Sequence, residues 1–323
     1  MRKLRLLLLP LAVIYDLITS LRNFFFNVGI FKQYVPKVHT IAVGNLSTGG
    51  TGKTPMIEYL IRLHEGKKIG VISRGYGRST KGYIEVTKDH LASDVGDEPL
   101  QIKTKFGDEI VFAVCEKRAI GIQKMTQEYE LDLILLDDAY QHRYVKAHSY
   151  ILLTSYDRPY FEDYVLPAGD LRESRSGAGR ADHIVVTKCP NHLSAEERAR
   201  LTKGIAPEKD QNLHFATISY SMELKGAKII RLDQVEREHI TLVTGIAKPQ
   251  PILDHLSQYF EVEHLEFGDH HTFASSEIEK IKTHDFIITT EKDFMRLRQF
   301  NIPNLYYLEM KMEFIREQKP VFL

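Results

Sequence analysis

The chain has 323 residues, enough for one large domain or two of ordinary size. Its 43 basic and 43 acidic side chains balance, which argues against nucleic-acid binding through bulk charge, and 43% hydrophobic residues indicate a folded globular protein rather than a disordered one. The two cysteines, Cys115 and Cys189, are far apart and lie in no metal-binding spacing, so they are predicted to be reduced, buried residues of a cytosolic protein.

The N-terminal segment, residues 1–35, combines basic residues with an apolar run from Leu6 to Tyr15. Asp16 interrupts this run short of the roughly 20 apolar residues that a spanning helix needs, so the run is predicted not to cross a membrane. The aromatic, cationic sequence that follows favours an amphipathic helix lying on an anionic membrane surface. Two alternatives stay open, a helix packed on the protein's own core and a secretory signal peptide, although no clear A-x-A-like cleavage site follows.

A glycine-rich stretch, VGNLSTGGTGKTP, joins the apolar, β-branched run VHTIAVG to a segment with helical apolar spacing. A strand, a glycine-rich turn and a helix that opens with Lys-Thr form a phosphate-binding loop, in which backbone N–H groups and the helix N-terminus surround an anion. Lys53 is predicted to reach the terminal phosphates, and the Thr54 hydroxyl is predicted to bind Mg²⁺. The alternative is an ordinary glycine-rich turn. The residues predicted to bind the nucleotide are Ser47, Thr48, Gly49, Gly50, Thr51, Gly52, Lys53 and Thr54. Ser47 stands where the pattern has glycine.

Strands and helical segments alternate through the rest of the chain, which predicts an α/β fold: a P-loop NTPase-type, mostly parallel sheet with helices on both faces, plus a second, smaller α/β unit. The loop YFEDYVLPAGDLRESRSGAGRAD is rich in Gly, Pro and charge and indicates a boundary or an active-site loop. The nucleotide-binding domain is predicted to span 36–155. The second domain, 156–323, is predicted to contribute to the substrate cleft.

Two acidic motifs follow the loop. LILLDDAYQHR places Asp137 and Asp138 at the end of an apolar strand, where a triphosphate site holds Mg²⁺; solvated turn aspartates are the alternative. GDEP contains Asp97 and Glu98, and by itself this motif is more typical of a helix N-cap than of a catalytic acid. Arginines beside glycines, Arg74, Arg78 and Arg172, suit phosphate recognition, although salt bridges would explain them equally well.

The order of these motifs resembles that of the tetraacyldisaccharide 4′-kinases, the lipid A 4′-kinases of Gram-negative bacteria. GNLSTGGTGKTP, SRGYGR, GDEP, LDDAYQHR, LPAGDLRE, GIAKP, DHHTF and TTEKD follow one another as in that family, from the N-terminus to about Asp293. The resemblance implies a membrane-associated P-loop enzyme that moves the γ-phosphate of ATP to the 4′-hydroxyl of a tetraacylated glucosamine disaccharide 1-phosphate. It also implies residence on the cytoplasmic face of the inner membrane, with no nucleic acid and no obligatory protein partner.

The resemblance assigns roles to individual residues. Asp97 would be the catalytic acid/base, oriented by His270, while Glu98, Asp137 and Asp138 would form the Mg²⁺ environment. The residues implied to contact substrate or to support the site are Arg74, Arg78, Gln141, His142, Arg143 and Arg172. The family commonly has a glycine-leucine or similar pair where this chain has Ala139 and Tyr140.

Two rival functions stay open. A P-loop GTPase is disfavoured, because guanine recognition uses an [NT]-K-x-D element, and neither TKCP nor TEKD has that spacing. A nucleotide-binding membrane switch without catalysis would not need Asp97 and His270, and it would turn over no lipid substrate.

Overall fold

In the computed structural model, which describes residues 5–269, 271–315 and 322, strands and helices alternate along the chain. The strands are β1 His39–Asn45, β2 Ile69–Ser73, β3 Ile84–Glu85, β4 Ile110–Val114, β5 Leu133–Leu136, β6 Ser149–Ser155, β7 His183–Thr187, β8 Asn212–Lys225, β9 Ile229–Arg231, β10 His239–Thr244, β11 Glu261–Glu266, β12 Ile287–Thr290 and β13 Leu305–Phe314. The α-helices are α1 Leu9–Asn27, α2 Lys53–Leu63, α3 Ala92–Val95, α4 Asp97–Phe106, α5 Arg118–Glu128, α6 Ala195–Ile205, α7 Gln250–Leu256, α8 Ser275–Lys282 and α9 Glu291–Leu297.

The chain forms two compact units, each assembled from segments that are separate in the sequence. The first unit comprises Met1–Arg74, Glu109–Ile218 and Met312–Leu323, and the second comprises Gly75–Asp108 and Ser219–Lys311. The sequence-based division at residue 155 is continuous, whereas the chain leaves the first unit after Arg74 and returns to it at Glu109. A single boundary at residue 155 therefore does not describe units that are each built from several segments.

The first unit is built on a parallel sheet with the strand order β8-β7-β6-β1-β5-β2-β4. Strand β1 lies between β5 and β6, and six of its seven residues are buried, as its apolar, β-branched sequence predicts for a strand covered on both faces. Because parallel strands end at the same edge, the loops after β1 and β5 emerge side by side.

The second unit carries its own parallel strands in the order β11-β10-β12-β13, and β8 continues into an antiparallel pair with β9. Its apolar side chains form two clusters, one around Leu242 and Ile288 and the other around Val243 and Ile287. Adjacent residues of each strand thus point to opposite faces of the sheet, and both faces are covered.

The fold-class prediction is confirmed: the structure is α/β with mostly parallel strands. Every strand predicted from an apolar run is present, and so are the predicted helices. Strands β3, β8 and β9 and helices α3 and α6 were not predicted from the sequence. The predicted burial of Cys115 and Cys189 is also observed.

The helix α1 follows a short 3₁₀ turn, Leu6–Leu8, so the helical segment runs unbroken through Asp16. We expected Asp16 to end the segment before it was long enough to cross a membrane, and this expectation about its length is wrong. Its 22 residues span about 33 Å at 1.5 Å per residue and are apolar enough to cross a bilayer. Only Ala12 and Phe26 of α1 are buried, so the alternative of a core helix does not fit either.

Candidate functional site

The glycine-rich loop after β1 has the backbone of a phosphate-binding turn. Gly49 and Gly52 adopt φ angles of 108° and 87°, which side chains with a β-carbon rarely adopt, and α2 begins directly at Lys53. The Asn45 side chain donates to the Thr51 hydroxyl at 2.8 Å and thereby spans the turn. The first N–H groups of α2 therefore open toward the space that the loop encloses.

Neighbouring elements hold this loop from outside. The Thr187 hydroxyl, at the end of β7, donates to the Thr51 carbonyl at 2.8 Å, and the Lys188 ammonium donates to the Gly50 carbonyl at 2.7 Å. On the other side, the Thr48 N–H donates to the Asp170 carbonyl at 2.7 Å. The contacts of Thr187 and Lys188 use carbonyl groups of the loop, and the contact to Asp170 uses the Thr48 N–H, so the loop is fixed from both sides.

Asp138 joins the loop lysine to an arginine from the LPAGDLRE motif. The Lys53 ammonium lies 3.6 Å from Asp138 Oδ1, and Arg172 Nη1 donates to the two carboxylate oxygens at 3.1 and 3.2 Å. Burial acts to raise the pKa of Asp138, but the charges of Lys53 and Arg172 outweigh it and hold that pKa below its ordinary value. The carboxylate is therefore ionised at neutral pH. The structure thus brings Lys53, Asp138 and Arg172 together.

Asp137 lies deeper than Asp138, with only 3% of its surface exposed. Its backbone carbonyl accepts from Arg118 Nη2 at 3.4 Å, and Arg118 itself is 2% exposed. Burial lowers the pKa of Arg118 to about 10, although Asp137 and Asp138 oppose that shift. Arg118 thus brings a buried positive charge to the aspartate pair, and it was not predicted from the sequence. Its only sequence signal is an arginine at the start of a helix that follows a strand.

Gln141 is tied into the end of β1 rather than turned toward solvent. Its side-chain amide donates to the Asn45 carbonyl at 2.8 Å and to Glu173 Oε1 at 2.9 Å. Glu173 is buried and also accepts from Asn23 of α1 and from Arg180. In the structure, therefore, Gln141 links the nucleotide loop to α1 through Glu173.

Arg143 is likewise engaged with α1: it donates to the Asn23 carbonyl at 2.8 Å and to the Asn27 side chain at 2.7 Å. His142 is half-buried. Burial, with smaller contributions from Arg118 and two other arginines, lowers its pKa to about 4, so His142 is neutral at pH 7. Neither residue is placed in a substrate contact by the structure, and that predicted role stays a prediction.

Tyr140, one of the two residues at which this chain departs from the common family pattern, is accommodated in the core. Its ring is 1% exposed, its hydroxyl donates to the Gly177 carbonyl at 2.8 Å, and Arg180 lies over the ring. A β-carbon on Gly44 would lie 2.6 Å from Tyr140 Cβ, so the glycine of β1 makes room for it. The departure leaves the backbone of the aspartate pair in place.

Asp97, in the second unit, is the first residue of α4 and is 7% exposed. Its Oδ2 accepts from Arg296 Nε at 3.1 Å and also from Arg296 Nη2, while its Oδ1 accepts from the Glu98 N–H at 2.9 Å. Lys292 lies 4.0 Å from Asp97 and 3.3 Å from Glu98 Oε1. The predicted catalytic carboxylate is thus held by two cations of α9.

His270, predicted to orient Asp97, lies outside the described residues. The neighbouring His271 is 2.8 Å from Glu277. Arg296 was missed from the sequence, because the motif TTEKD ends three residues before it. A sequence signal exists: Asp293 and Arg296 are spaced i, i+3, so they share one face of a short helix that starts at a Thr cap.

The remaining predicted substrate residues differ in placement. Arg74 ends the first of the three segments of the first unit and is exposed, and its charge helps to lower the pKa values of Arg118 and His142. Arg78 belongs to the second unit and donates to the Gly82 carbonyl at 2.7 Å. The structure therefore gives Arg78 a local role within its own turn.

The donors available for a metal in the first unit are of the kind that Mg²⁺ prefers. Thr54 offers a hydroxyl, and Asp137 and Asp138 offer carboxylates at the end of β5, beside the loop that follows β1. Among the described residues, no group of three or more His, Cys, Asp or Glu side chains forms a ready metal cage.

Comparison with known proteins gives a consistent result. The family model for tetraacyldisaccharide-1-P 4′-kinase matches residues 4–322. Proteins named tetraacyldisaccharide 4′-kinase are 46% identical in Flavobacterium johnsoniae, covering 99% of this chain and 95% of that protein, and 39% identical in Phocaeicola vulgatus, covering 98% and 92%.

A solved structure is also similar: the "apo" form of LpxK from Aquifex aeolicus in complex with ATP, with a TM-score of 0.79 and 26% identity over 97% of this chain and 96% of that one. The similarity extends over both units, so it covers the loop of the first unit and the Asp97 region of the second. With this sequence and this geometry, the chain belongs to the tetraacyldisaccharide-1-phosphate 4′-kinase family.

Proposed function

We propose that this chain transfers the γ-phosphate of ATP to the 4′-hydroxyl of a tetraacylated glucosamine disaccharide 1-phosphate, a step of lipid A biosynthesis. Family membership supports the reaction. The observation that carries the proposal is the loop of residues 47–54, whose lysine lies 3.6 Å from a carboxylate at the end of the neighbouring strand. That arrangement is the one a P-loop enzyme uses to bind a triphosphate.

Phosphoryl transfer through a loose transition state demands mainly positioning and neutralisation of charge. The N–H groups of the loop and of the first turn of α2 bind the phosphate oxygens, and Lys53 adds a positive charge at the terminal phosphates. Arg172 contacts the Asp138 carboxylate, as Lys53 does, so it supplies a second positive charge beside the loop. Lys53 and Arg172 together offset the negative charge of the transferred group.

Mg²⁺ would be held by the Thr54 hydroxyl and by Asp137 and Asp138, with Glu98 as a further candidate. A bound Mg²⁺ would help to neutralise the negative charge of the phosphates. Asp138 already has Lys53 and Arg172 as partners, and Glu98 has Lys292. Asp138 is therefore also proposed to orient Lys53, which it contacts.

Asp97 is the proposed acceptor of the proton from the 4′-hydroxyl. An aspartate is a weak base toward an alcohol, so it takes the proton late, as the hydroxyl acidifies along the reaction. Its ion pair with Arg296 fixes the carboxylate in one orientation before substrate arrives. His270 is proposed as a second orienting group, and Gln141, His142 and Arg143 as support for the loop and α1.

The helix α1 is proposed to attach the enzyme to the cytoplasmic face of the inner membrane. Its polar side chains, Tyr15, Arg22 and Asn23, face the first unit and bond to Arg172, Gln141 and Glu173. Its other face is apolar and exposed; that face includes Leu11, Ile14, Leu17, Ile18, Leu21 and Phe24.

A helix bound to protein along its polar side and open along its apolar side is suited to lie in the interface, with one face in lipid. A helix that crossed the bilayer would instead have to take Arg22 and Asn23 into the hydrocarbon, at a cost of several kcal/mol. We therefore propose that the protein attaches to the membrane peripherally, although the helical segment Leu6–Asn27 is long enough to cross a bilayer.

The reaction is tested by incubating the purified protein with Mg²⁺ and tetraacyldisaccharide 1-phosphate in detergent, with γ-labelled ATP or γ-labelled GTP as donor. Label in the lipid fraction from ATP, and much less from GTP, is the expected result. Preference for GTP would overturn the assignment of the donor, and an unlabelled lipid fraction with both would overturn the assignment of the reaction.

A further inference from the structure

The guanidinium of Arg296 lies between two carboxylates of the second unit. On one side it donates to Asp97 through Nε and Nη2, and on the other Nη1 donates to Asp293 Oδ1 at 2.9 Å and to the Gly245 carbonyl at 3.2 Å. The Arg296 side chain is only 11% exposed. A planar guanidinium with donors in a fixed fork is suited to holding a carboxylate in one orientation.

Asp293 is itself immobilised. It is fully buried and accepts from the Gly245 N–H at 2.9 Å and from the Thr290 hydroxyl at 2.7 Å, while Thr290 also caps α9 by accepting from the Asp293 N–H. The guanidinium is therefore fixed to a rigid strand-to-helix turn on one side and meets Asp97 on the other. Because the Arg296 guanidinium is held in this way, it also restricts the orientation of the Asp97 carboxylate that it contacts.

The arrangement also keeps the charge of Arg296 compensated when Asp97 accepts a proton. When Asp97 takes a proton it becomes neutral, and an arginine paired with it alone would be left as an uncompensated cation in a nearly buried place. Here Asp293 stays on Nη1 and keeps the guanidinium compensated. Lys292, which also lies beside Asp97, pairs with Glu98 at 3.3 Å.

The geometry points to Arg296 as a positioning residue for the transfer reaction: clamped by Asp293, it fixes the Asp97 carboxylate for proton acceptance and keeps the clamp electrically balanced when the proton arrives. This inference rests on the proposed role of Asp97. Arg296 touches neither ATP nor the lipid in this account, and it acts only through the carboxylate it holds.

The test compares Arg296→Ala and Arg296→Lys with the wild type, and uses Arg298→Ala as the matched control. Arg298, two residues along, instead donates to the carbonyls of Lys88 and His90. The expected results are a kcat on the order of 10²-fold lower for Arg296→Ala, an unchanged KM for ATP, an intermediate kcat for Arg296→Lys, and no loss for Arg298→Ala.

Chemical rescue separates positioning from a merely structural role. Millimolar guanidinium chloride should restore part of the lost kcat of Arg296→Ala, and urea at equal concentration should not. When Asp97→Asn is already present, adding Arg296→Ala should lower kcat little further, because both residues act as one unit. If Arg296→Ala does not fold, Arg296→Lys in the Asp97→Asn background makes the same comparison.

Wild-type kcat in Arg296→Ala, or losses that multiply in the double variant, would overturn the inference while leaving the kinase assignment intact. Failure of the proposed function is a different result, since then the wild-type protein itself would label no lipid.

Discussion

At the scale of single residues, the contact between Lys53 and Asp138 is suited to a site that must exchange partners. Their 3.6 Å separation is longer than a good charge-assisted hydrogen bond of about 2.8 Å, whereas Arg172 lies closer to the same carboxylate. Lys53 is therefore restrained by Asp138 without being fully engaged. It can turn to a triphosphate while Arg172 keeps Asp138 compensated.

Lys53→Ala should nearly abolish transfer without unfolding the protein, because the side chain neutralises phosphate charge and contributes little to the core. The measurement is turnover with labelled ATP, alongside thermal unfolding with and without ATP. Lys67→Ala is the matched control, since Lys67 is exposed just beyond the far end of α2 and should behave as wild type. Near wild-type turnover in a normally folded Lys53→Ala protein would rule out the role.

Asp97→Asn keeps the size of the side chain but removes its charge and basicity. Turnover should fall by roughly two to four orders of magnitude, the range typical of losing a general base, while ATP affinity changes little because the loop after β1 carries that binding. His270→Ala should cost less. If Asp97→Asn instead weakened Mg²⁺-ATP binding and spared saturated turnover, Asp97 would be a metal ligand and Asp138 the next candidate base.

His142 makes part of the stability dependent on pH. Burial lowers its pKa to about 4, below the ordinary value of 6.5, so between these values the unfolded chain binds a proton that the folded chain does not. This contribution is fully present above about pH 6.5 and is lost as the pH falls toward about 4. His142→Gln should therefore flatten the fall of the unfolding temperature between pH 7.5 and 5.

The exposed His192 provides the comparison for that experiment. His192→Gln should keep the wild-type slope. An unchanged slope in His142→Gln would show that the proton uptake at acid pH belongs to other groups, such as the buried His183, whose pKa burial also lowers.

At the scale of elements, α1 contacts the first unit mainly through hydrogen bonds of polar side chains. Ala12, Tyr15, Arg22, Asn23 and Phe26 recur at helical spacing on the side that contacts the first unit. Each large apolar residue on the opposite side would gain about 1.5–3 kcal/mol on full transfer from water to lipid. Several such residues provide firm but peripheral binding.

Ile18→Glu should weaken membrane binding, because it places a charge in the middle of the exposed apolar stripe, where Ile18 is 62% exposed. The measurement is co-sedimentation with vesicles that contain anionic phospholipid. Ile229→Glu is the matched control: the same change at a residue 63% exposed on β9 should leave sedimentation unchanged. Equal sedimentation of both variants would contradict attachment through α1.

The elements themselves could largely be predicted from the sequence, because buried parallel strands are continuous apolar runs and the helices between them have regular apolar spacing. Strand β8 was missed for a physical reason. Most of its residues are only partly buried, so NLHFATISYSMELK lacks a strong apolar run. The helix α1 was identified as amphipathic, but no pattern in the sequence showed which of its faces contacts protein.

At the scale of the whole molecule, the chain crosses between its two units more than once, and no local pattern in the sequence indicates that exchange. Motifs could be located because glycine turns, strand-end carboxylates and caps are local features. The partners of these side chains could not be predicted, because they are distant in the sequence. Asp138 and Arg172 are 34 positions apart, and Asp97 and Arg296 are 199 apart. Tertiary pairing of this kind has no local signature.

The most direct test of the kinase assignment is the fate of the γ-phosphate. Purified protein with γ-labelled ATP, Mg²⁺ and tetraacyldisaccharide 1-phosphate should yield a labelled lipid whose new phosphate is on the 4′-oxygen, as determined by NMR of the isolated product. Label recovered only as inorganic phosphate, with the lipid unchanged, would contradict the account and would instead describe a nucleotide-driven switch on the membrane.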